Sequence, residues 1–204
     1  YGFSIPRILG VHGQPTVIDD NIVPLRKENI QVISMGFFVD EHTPVIWRGP
    51  LLHKTINQFI TDVLWDKLDY FLIDLPPGTG DVTISIAQAL PKAEMLVITT
   101  PQPVASHTAG RVARMAEQTK LAVLGVIENM SYYETNGKKD YIFGQGGGKE
   151  LAGALGVPFL GEIPIDTEIR EGADTGNPAA FSDKEKTASY YLNLAESLAK
   201  TKGR

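Results

Sequence analysis

A single carboxylate followed by a glycine-rich turn is the arrangement in this sequence with the clearest chemical meaning. Asp74 ends the apolar run at 70–73 and is followed by Pro-Pro-Gly-Thr-Gly-Asp at 76–81. A strand buried on both faces cannot readily end in an isolated charge, because a carboxylate there needs a cation or a polar ligand. In nucleoside-triphosphate hydrolases such an aspartate holds the magnesium shell, while glycines such as Gly78 and Gly80 let backbone amides approach a terminal phosphate. Asp74 is therefore a candidate catalytic and magnesium-binding residue; the alternative is a strand that ends in an ordinary turn.

A second glycine cluster, at 144–148, has a different character. It precedes Lys149, but no hydroxyl residue follows that lysine, and a polar hairpin comes before the glycines. No Gly-x-x-x-x-Gly-Lys-Ser/Thr phosphate loop occurs anywhere in the sequence. We interpret the cluster as a helix entry whose glycines supply close packing or mobility, and not as a triphosphate cradle.

Short apolar runs alternate with longer segments of helical period along the chain. Candidate strands lie at 22–25, 30–35, 70–74, 95–100, 122–127 and 159–163. Candidate amphipathic helices lie at 50–64, 82–90, 104–118, 149–155 and 186–200. Strands separated by helical crossovers predict a parallel sheet of the α/β class, with ligands bound beyond the carboxyl ends of the strands. No repeat or linker divides the sequence, so we expect a single domain over 1–204.

Composition narrows the class of protein. The 204 residues carry 19 basic and 24 acidic side chains, a formal charge of −5, so only a local basic patch could serve nucleic acid. There are no cysteines, which excludes disulfides and clusters ligated by the chain's own thiolates. No apolar run reaches membrane-spanning length and no export signal opens the sequence. We therefore expect a cytoplasmic protein without a membrane partner.

Seven sequence blocks occur in the same order as in one known family. They lie at 2–6, 34–37, 44–50, 74–81, 99–102, 128–131 and 161–166. Through these blocks the chain resembles the Mrp-type ATPases, relatives of MinD and ParA that carry a deviant phosphate loop and are associated with iron-sulfur cluster assembly. The resemblance implies a three-layer α/β domain of the P-loop NTPase, MinD-like type with a mostly parallel sheet. It also implies ATP and Mg²⁺ as cofactors.

The resemblance assigns roles to particular residues. Asp74 matches the family's magnesium-side aspartate, in agreement with the interpretation above. The switch segment that senses the terminal phosphate matches Pro77, Gly78, Thr79 and Gly80. These assignments describe how a bound nucleotide is held and read.

Two further segments match the parts of the family that contact the base. Asn129 matches the asparagine that reads adenine, since a carboxamide donates and accepts at once, as the adenine edge requires. On spacing alone Asn129 could equally be a turn residue or a strand-end cap. Pro164 and Asp166 match a second base-contacting segment, with the alternative that Asp166 caps a helix at 167–172. Both roles of Asp166 can coexist.

The first departure from the family concerns the beginning of the chain. The family's opening strand, phosphate loop and first switch aspartate should lie before Tyr1, and none is present. Because the amides and lysines of that loop provide most of the stabilisation of the triphosphate, this chain alone is not expected to hydrolyse ATP. We expect a parent protein that continues upstream and is an ATPase acting as a nucleotide-switched homodimer.

The second departure concerns the metal cargo. Family members that carry clusters have a Cys-x-x-Cys where this chain has 132–143, within which Asn136 and Gly137 predict a tight hairpin. Because iron needs soft thiolate ligands, the missing cysteines argue against an iron-sulfur cluster here and favour the cysteine-free branch typified by SalA, an ATP-binding regulator of gene expression. Two functions stay open. One is an iron-sulfur cluster carrier that serves apo-protein clients; the other is a nucleotide-switched regulator that binds DNA or protein.

Overall fold

The computed structural model describes residues 2–39, 49–75, 81–102, 105–183 and 185–201. The chain divides into two compact units. Unit 1 contains Tyr1–Ala89 and Gly172–Pro178, and unit 2 contains Leu90–Glu171 and Ala179–Arg204. Each unit builds its own core.

Unit 1 begins with a short helix and two small antiparallel hairpins. In order, these elements are α1 (Ser4–Leu9), β1 (Thr16–Ile18), β2 (Asn21–Val23), β3 (Leu25–Lys27) and β4 (Ile30–Val32). The strand expected at 22–25 is divided into β2 and β3, because Pro24 has no backbone N–H to continue a ladder. The strand expected at 30–35 stops at Val32. There the Ser34 hydroxyl accepts a hydrogen bond from the Gly36 N–H at 3.1 Å and starts a turn of 3-10 helix at Met35–Phe37.

Two amphipathic helices complete the described part of unit 1. They are α2 (Gly49–Thr61) and α3 (Asp81–Ala89), which pack on each other and confirm the helices predicted at 50–64 and 82–90. His53 of α2 and Ser85 of α3 lie 2.9 Å apart through Nδ1 and Oγ. A separate cluster of Val11, Val32 and Phe37 forms the buried core around the hairpins.

The strand predicted at 70–74 is absent from the structure. Residues 70–75 form no ladder, and their apolar side chains are exposed, with Leu72 86% accessible. A strand exists only through hydrogen bonds to a neighbouring strand, and no described segment supplies them here. The prediction of a buried strand was therefore wrong for the described residues, although the apolar composition that prompted it is real.

Unit 2 is built on a mainly parallel sheet. Its strands are β5 (Glu94–Thr99), β6 (Ala122–Thr135), β7 (Lys138–Asp140) and β8 (Phe159–Ile165). β6 lies between β5 and β8 and is parallel to both, which confirms three predicted strands and their parallel pairing. β6 extends beyond its predicted end at 127. The reason is that Asn136 and Gly137, with left-handed φ values of 52° and 73°, return the chain as the antiparallel strand β7.

Helices α5 (Gly147–Leu155) and α7 (Glu185–Thr201) cover opposite faces of this sheet. Helix α4 (Ala105–Thr119) packs on α5, and α6 (Thr167–Asp174) follows β8 in the chain. Successive β6 residues point to opposite faces, so Val126 packs on Leu151 of α5 while Ile127 packs on Leu194 of α7. Full burial of a side chain such as Val126 stabilises the fold by about 1.5–3 kcal/mol. Unit 2 is therefore a three-layer α/β arrangement, as the resemblance implied.

Candidate functional site

The carboxyl ends of three parallel strands place the candidate base-contacting residues at one edge of the unit 2 sheet. Thr99, the last residue of β5, lies opposite Glu128 of β6, and Asn129 lies opposite Ile163 of β8. Asn129, Pro164 and Asp166 thus emerge from neighbouring strands at the edge where parallel α/β sheets bind ligands. The structure brings these three predicted residues together on one rim.

Asn129 sits in an irregular part of β6. Its Oδ1 accepts a hydrogen bond from the Met130 N–H at 2.9 Å, and Met130 has a left-handed φ of 56°. The register with β8 slips between Asn129 and Tyr133, so β6 bulges at this point. Within the described residues the Nδ2 group of Asn129 has no hydrogen-bond partner. The side chain therefore offers two N–H donors at the rim.

The second segment of the rim is also ordered. Pro164 is buried in β8, and Asp166 follows directly after the strand. Asp166 Oδ1 accepts a hydrogen bond from the Glu168 N–H at 2.8 Å, so the carboxylate caps α6. The helix-cap alternative is confirmed, while contact of Pro164 and Asp166 with a base stays a prediction.

Glu128 is a residue of this rim that the sequence-based predictions missed. It is only 2% exposed, and its Oε2 accepts a hydrogen bond from the Gly148 N–H at 2.6 Å. A Cβ on Gly148 would lie 2.8 Å from Glu128 Cβ, and one on Gly147 would lie 2.5 Å from the Pro101 oxygen. The glycines before Lys149 therefore serve close packing, which confirms that interpretation. The available signal was a charge directly after the apolar run at 122–127.

Gln102 contributes an unusual acceptor just beyond β5. Its Oε1 is buried and has no hydrogen-bond partner among the residues that the structure describes. An unsatisfied buried acceptor costs about 1–3 kcal/mol, which is a reason to look for a donor supplied by a ligand. The oxygen is a candidate acceptor for an amino group, although no sequence pattern distinguished Gln102 in advance.

Ion pairs fix the β6–β7 hairpin and the start of α5. Glu162 of β8 accepts from Lys149 at 3.0 Å and lies 4.0 Å from Lys139 of β7, whose Nζ also lies 3.7 Å from the centre of the Tyr132 ring. The hydrogen bond and charge of Glu162 raise the pKa of Lys149 above its ordinary value. Because these lysines are largely exposed, each pair adds little stability.

The triphosphate side of the predicted site is described only in part. Asp74 belongs to unit 1 and is exposed near the end of segment 70–75, which forms no ladder with the described strands. The switch residues lie outside the described residues; they are Pro77, Gly78, Thr79 and Gly80. The magnesium-binding and catalytic role of Asp74 therefore stays a prediction.

The donor groups of the chain do not fit an iron-sulfur cluster. The sequence has no cysteine, and clusters are held mainly by cysteine thiolates. In the described part of the chain, no three His, Asp or Glu side chains converge in a way that could hold a metal ion. The same part contains no helix with the length and apolar character needed to cross a membrane.

Sequence comparison places the chain among proteins named for iron-sulfur transfer. The family model for ParA, described as NUBPL iron-transfer P-loop NTPase, matches residues 1–199. An iron-sulfur cluster carrier protein of Bacillus subtilis is 40% identical over 200 residues, which cover 97% of this chain and 56% of the relative. A protein of the same name from Saccharolobus solfataricus is 40% identical over 207 residues, covering 98% of this chain and 70% of the relative. The chain thus spans little more than half the length of its bacterial relative.

The chain is also similar to solved structures of nucleotide-binding proteins. A nucleotide-binding protein from Archaeoglobus fulgidus in complex with ADP matches with a TM-score of 0.73 at 36% identity, covering 86% of this chain and 70% of that one. MinD from Pyrococcus horikoshii, complexed with Mg-ADP, matches with a TM-score of 0.53 at 26% identity, covering 76% and 58%. The chain therefore belongs to the ParA family of NUBPL-type iron-transfer P-loop NTPases and has their MinD-like α/β fold.

Proposed function

We propose that the protein containing this chain is an ATP-binding and ATP-hydrolysing iron-sulfur cluster carrier of the Mrp type. The observation that carries this proposal is the similarity, over almost the whole chain, to proteins named as such carriers. The rim of unit 2 supports it, because Asn129 offers amide donors at the sheet edge where a base binds in parallel α/β folds.

In this proposal the nucleotide is contacted by two groups of residues. Asn129 reads the adenine edge, together with Pro164 and Asp166 of the neighbouring strand. Asp74 orders the attacking water and holds Mg²⁺, which when bound neutralises charge on the phosphates. The segment that responds to the terminal phosphate consists of Pro77, Gly78, Thr79 and Gly80. Hydrolysis is in this proposal an activity of the whole protein, since the chain spans little more than half the length of its Bacillus subtilis relative.

The chain's part in cluster transfer follows from its missing thiolates. With no cysteine in the 204 residues, these side chains supply the nucleotide-driven step and not the usual ligands of the cargo. We infer a homodimer whose state depends on the nucleotide and whose clients are apo-proteins. The whole chain acts in this picture as one nucleotide-binding domain of a cytoplasmic protein.

A second candidate is a nucleotide-switched regulator of the SalA kind. It is favoured by the hairpin that occupies the place of the family's Cys-x-x-Cys. This hairpin exposes Tyr133 and Lys138, side chains that could contact a protein or the DNA backbone. The formal charge of −5 would confine any such DNA contact to this local surface.

The carrier proposal is tested with the full-length parent protein, reconstituted with iron and sulfide under reducing conditions. We expect visible cluster absorption and transfer to an apo-ferredoxin, accelerated by ATP. An Asp74→Asn variant should keep nucleotide binding but lose most ATP hydrolysis and the acceleration. A colourless product that transfers nothing contradicts the carrier proposal.

The regulator is tested in parallel by measuring DNA binding with and without ATP across a salt series. The affinity of a regulator that contacts DNA phosphates must fall steeply as the salt concentration rises. Negligible binding that does not respond to ATP removes this second candidate.

A further inference from the structure

Glu128 is a buried carboxylate to which the proposed function assigns no role. It lies in β6, opposite Thr99 of β5 and Glu162 of β8, and is 2% exposed. A carboxylate withdrawn from water is strongly unfavourable unless it is hydrogen-bonded. Its bond to the Gly148 N–H, at 2.6 Å, is of the short, charge-assisted kind that compensates for this burial.

The partner of Glu128 lies in the first turn of α5. The first N–H groups of a helix have no partner within the helix, and this end of the helix dipole favours negative charge. The carboxylate therefore caps α5 from a strand located 20 residues earlier in the chain. Gly148 leaves the necessary space, since a Cβ there would lie 3.0 Å from Glu128 Oε2. Strand and helix are joined at this point.

The main chain of Glu128 fixes the other side of the same structure. Its carbonyl oxygen accepts a hydrogen bond from the Ser131 hydroxyl at 2.9 Å, and Ser131 is 1% exposed. This bond closes the bulge that contains Asn129 and the left-handed Met130. Glu128, the residue before Asn129, is thus fixed by two buried hydrogen bonds, one at its carboxylate and one at its carbonyl oxygen.

The start of α5 also reaches the second segment of the rim. Lys149, next to Gly148, donates to Glu162 Oε1 at 3.0 Å. Two residues after Glu162, β8 reaches Pro164, and Asp166 follows the strand. One helix start therefore contacts both strands that carry the candidate base-contacting residues.

We propose that Glu128 is a positioning residue for the nucleotide base. Its carboxylate clamps α5 onto β6, so that Asn129 and the segment after Glu162 present a rigid edge whose donors and acceptors match adenine. The inference rests on the proposed nucleotide binding.

The clamp itself is tested without any nucleotide. In this chain, Glu128→Ala should lose the protection of the Gly148 amide against hydrogen exchange, measured by NMR. Glu128→Gln keeps an acceptor oxygen and should retain most of that protection. Glu150→Gln, which removes an exposed carboxylate from the same helix turn, is the matched control and should leave the protection of the Gly148 amide unchanged. Unchanged Gly148 protection in Glu128→Ala overturns the clamp.

Positioning is tested by comparing ATP and GTP affinities of the full-length parent protein by calorimetry. Glu128→Ala should lower the affinity for ATP about tenfold, equivalent to about 1.4 kcal/mol, and should change the affinity for GTP little. Glu128→Gln should restore most of the preference. Ser131→Ala removes only the hydrogen bond that closes the bulge. It should lower the affinity for ATP while the Gly148 amide stays protected, so it tests the positioning role even if Glu128→Ala does not fold.

The outcomes separate the two proposals. ATP and GTP affinities that stay unchanged in both Glu128→Ala and Ser131→Ala overturn the positioning role while leaving nucleotide binding intact. A wild-type parent protein that binds neither nucleotide overturns the proposed function and the positioning role with it. In that case the exchange of the Gly148 amide still decides whether the clamp exists.

Discussion

Two glycines of the same helix should respond in opposite directions to replacement by alanine. Gly147 starts α5, and a Cβ there would lie 2.5 Å from the Pro101 carbonyl oxygen and 3.1 Å from that of Gln102. Gly153 lies in the middle of α5, is exposed, and has nothing within 4 Å of its Cβ position. Neither glycine has a positive φ, so the contrast is one of space and not of backbone strain.

The magnitudes follow from these distances. Carbon–oxygen contacts normally lie at about 3.3–3.6 Å, so Gly147→Ala requires a backbone shift of nearly 1 Å. Overpacking of this kind costs about 1–3 kcal/mol. Gly153→Ala meets no atom and should stabilise the helix by about 0.5–1 kcal/mol through its higher helix propensity. The two variants should therefore differ by about 1.5–4 kcal/mol, with opposite signs relative to wild type.

Urea unfolding, followed by circular dichroism, measures this difference. If the slopes with denaturant are equal, the midpoints report stability directly. For a chain of this size each kcal/mol corresponds to about 2–4 °C in melting temperature, so thermal scans provide an independent check. If Gly147→Ala proves as stable as Gly153→Ala, α5 does not lie against the turn after β5 as described, and the close-packing role of the glycine cluster is refuted.

Three further predictions concern unit 2. Leu151→Ala leaves a cavity at a fully buried position and should lower the free energy of unfolding by about 2–5 kcal/mol. Leu192 is exposed, so Leu192→Ala should change the free energy of unfolding by less than about 0.5 kcal/mol, and equal urea midpoints for the two variants would contradict this. Asp166→Ala removes the bond to the Glu168 N–H and should cost about 0.5–2 kcal/mol in calorimetry, while Asp166→Ser should recover most of it. Burial raises the pKa of the Tyr191 hydroxyl above the unfolded-state value of 10.0. The stability that the neutral hydroxyl contributes is therefore full below pH 10.0 and is lost as the pH rises through the folded-state pKa. Tyr191→Phe should reduce this loss of stability at alkaline pH, and a pH profile of stability identical to that of wild type would contradict the burial of the Tyr191 hydroxyl.

Features of the fold that depend on local pattern were predictable from the sequence. All five helices predicted from apolar spacing are present, with ends that differ by at most three residues, and β5, β6 and β8 begin within one residue of their predicted starts. Asn136 and Gly137 predicted the hairpin because they accept the left-handed φ values that a two-residue turn requires. The carboxyl-end location of Asn129 and Asp166 followed from the same reasoning, because parallel strands bring their ends to one edge.

Features that depend on a distant partner were not predictable. The apolar run at 70–74 has every local property of a strand, yet no described segment pairs with it, and its side chains are exposed. Pro24 divided one predicted strand because its missing N–H matters only where a ladder would continue. The buried Oε1 of Gln102 likewise has significance only because no described residue donates a hydrogen bond to it.

The sequence by itself determined the class of fold, the positions of its helices and the family, because periodicity, turn chemistry and motif order are carried by neighbouring residues. In the folded strand β6, Glu128 lies on the same face as Val126, since both meet α5. Only the tertiary structure decided what that carboxylate meets, since the Gly148 N–H is brought to it by the packing of α5 on the sheet. A residue's type limits the bonds that it can form, but the folding of distant segments against each other selects the one that it makes.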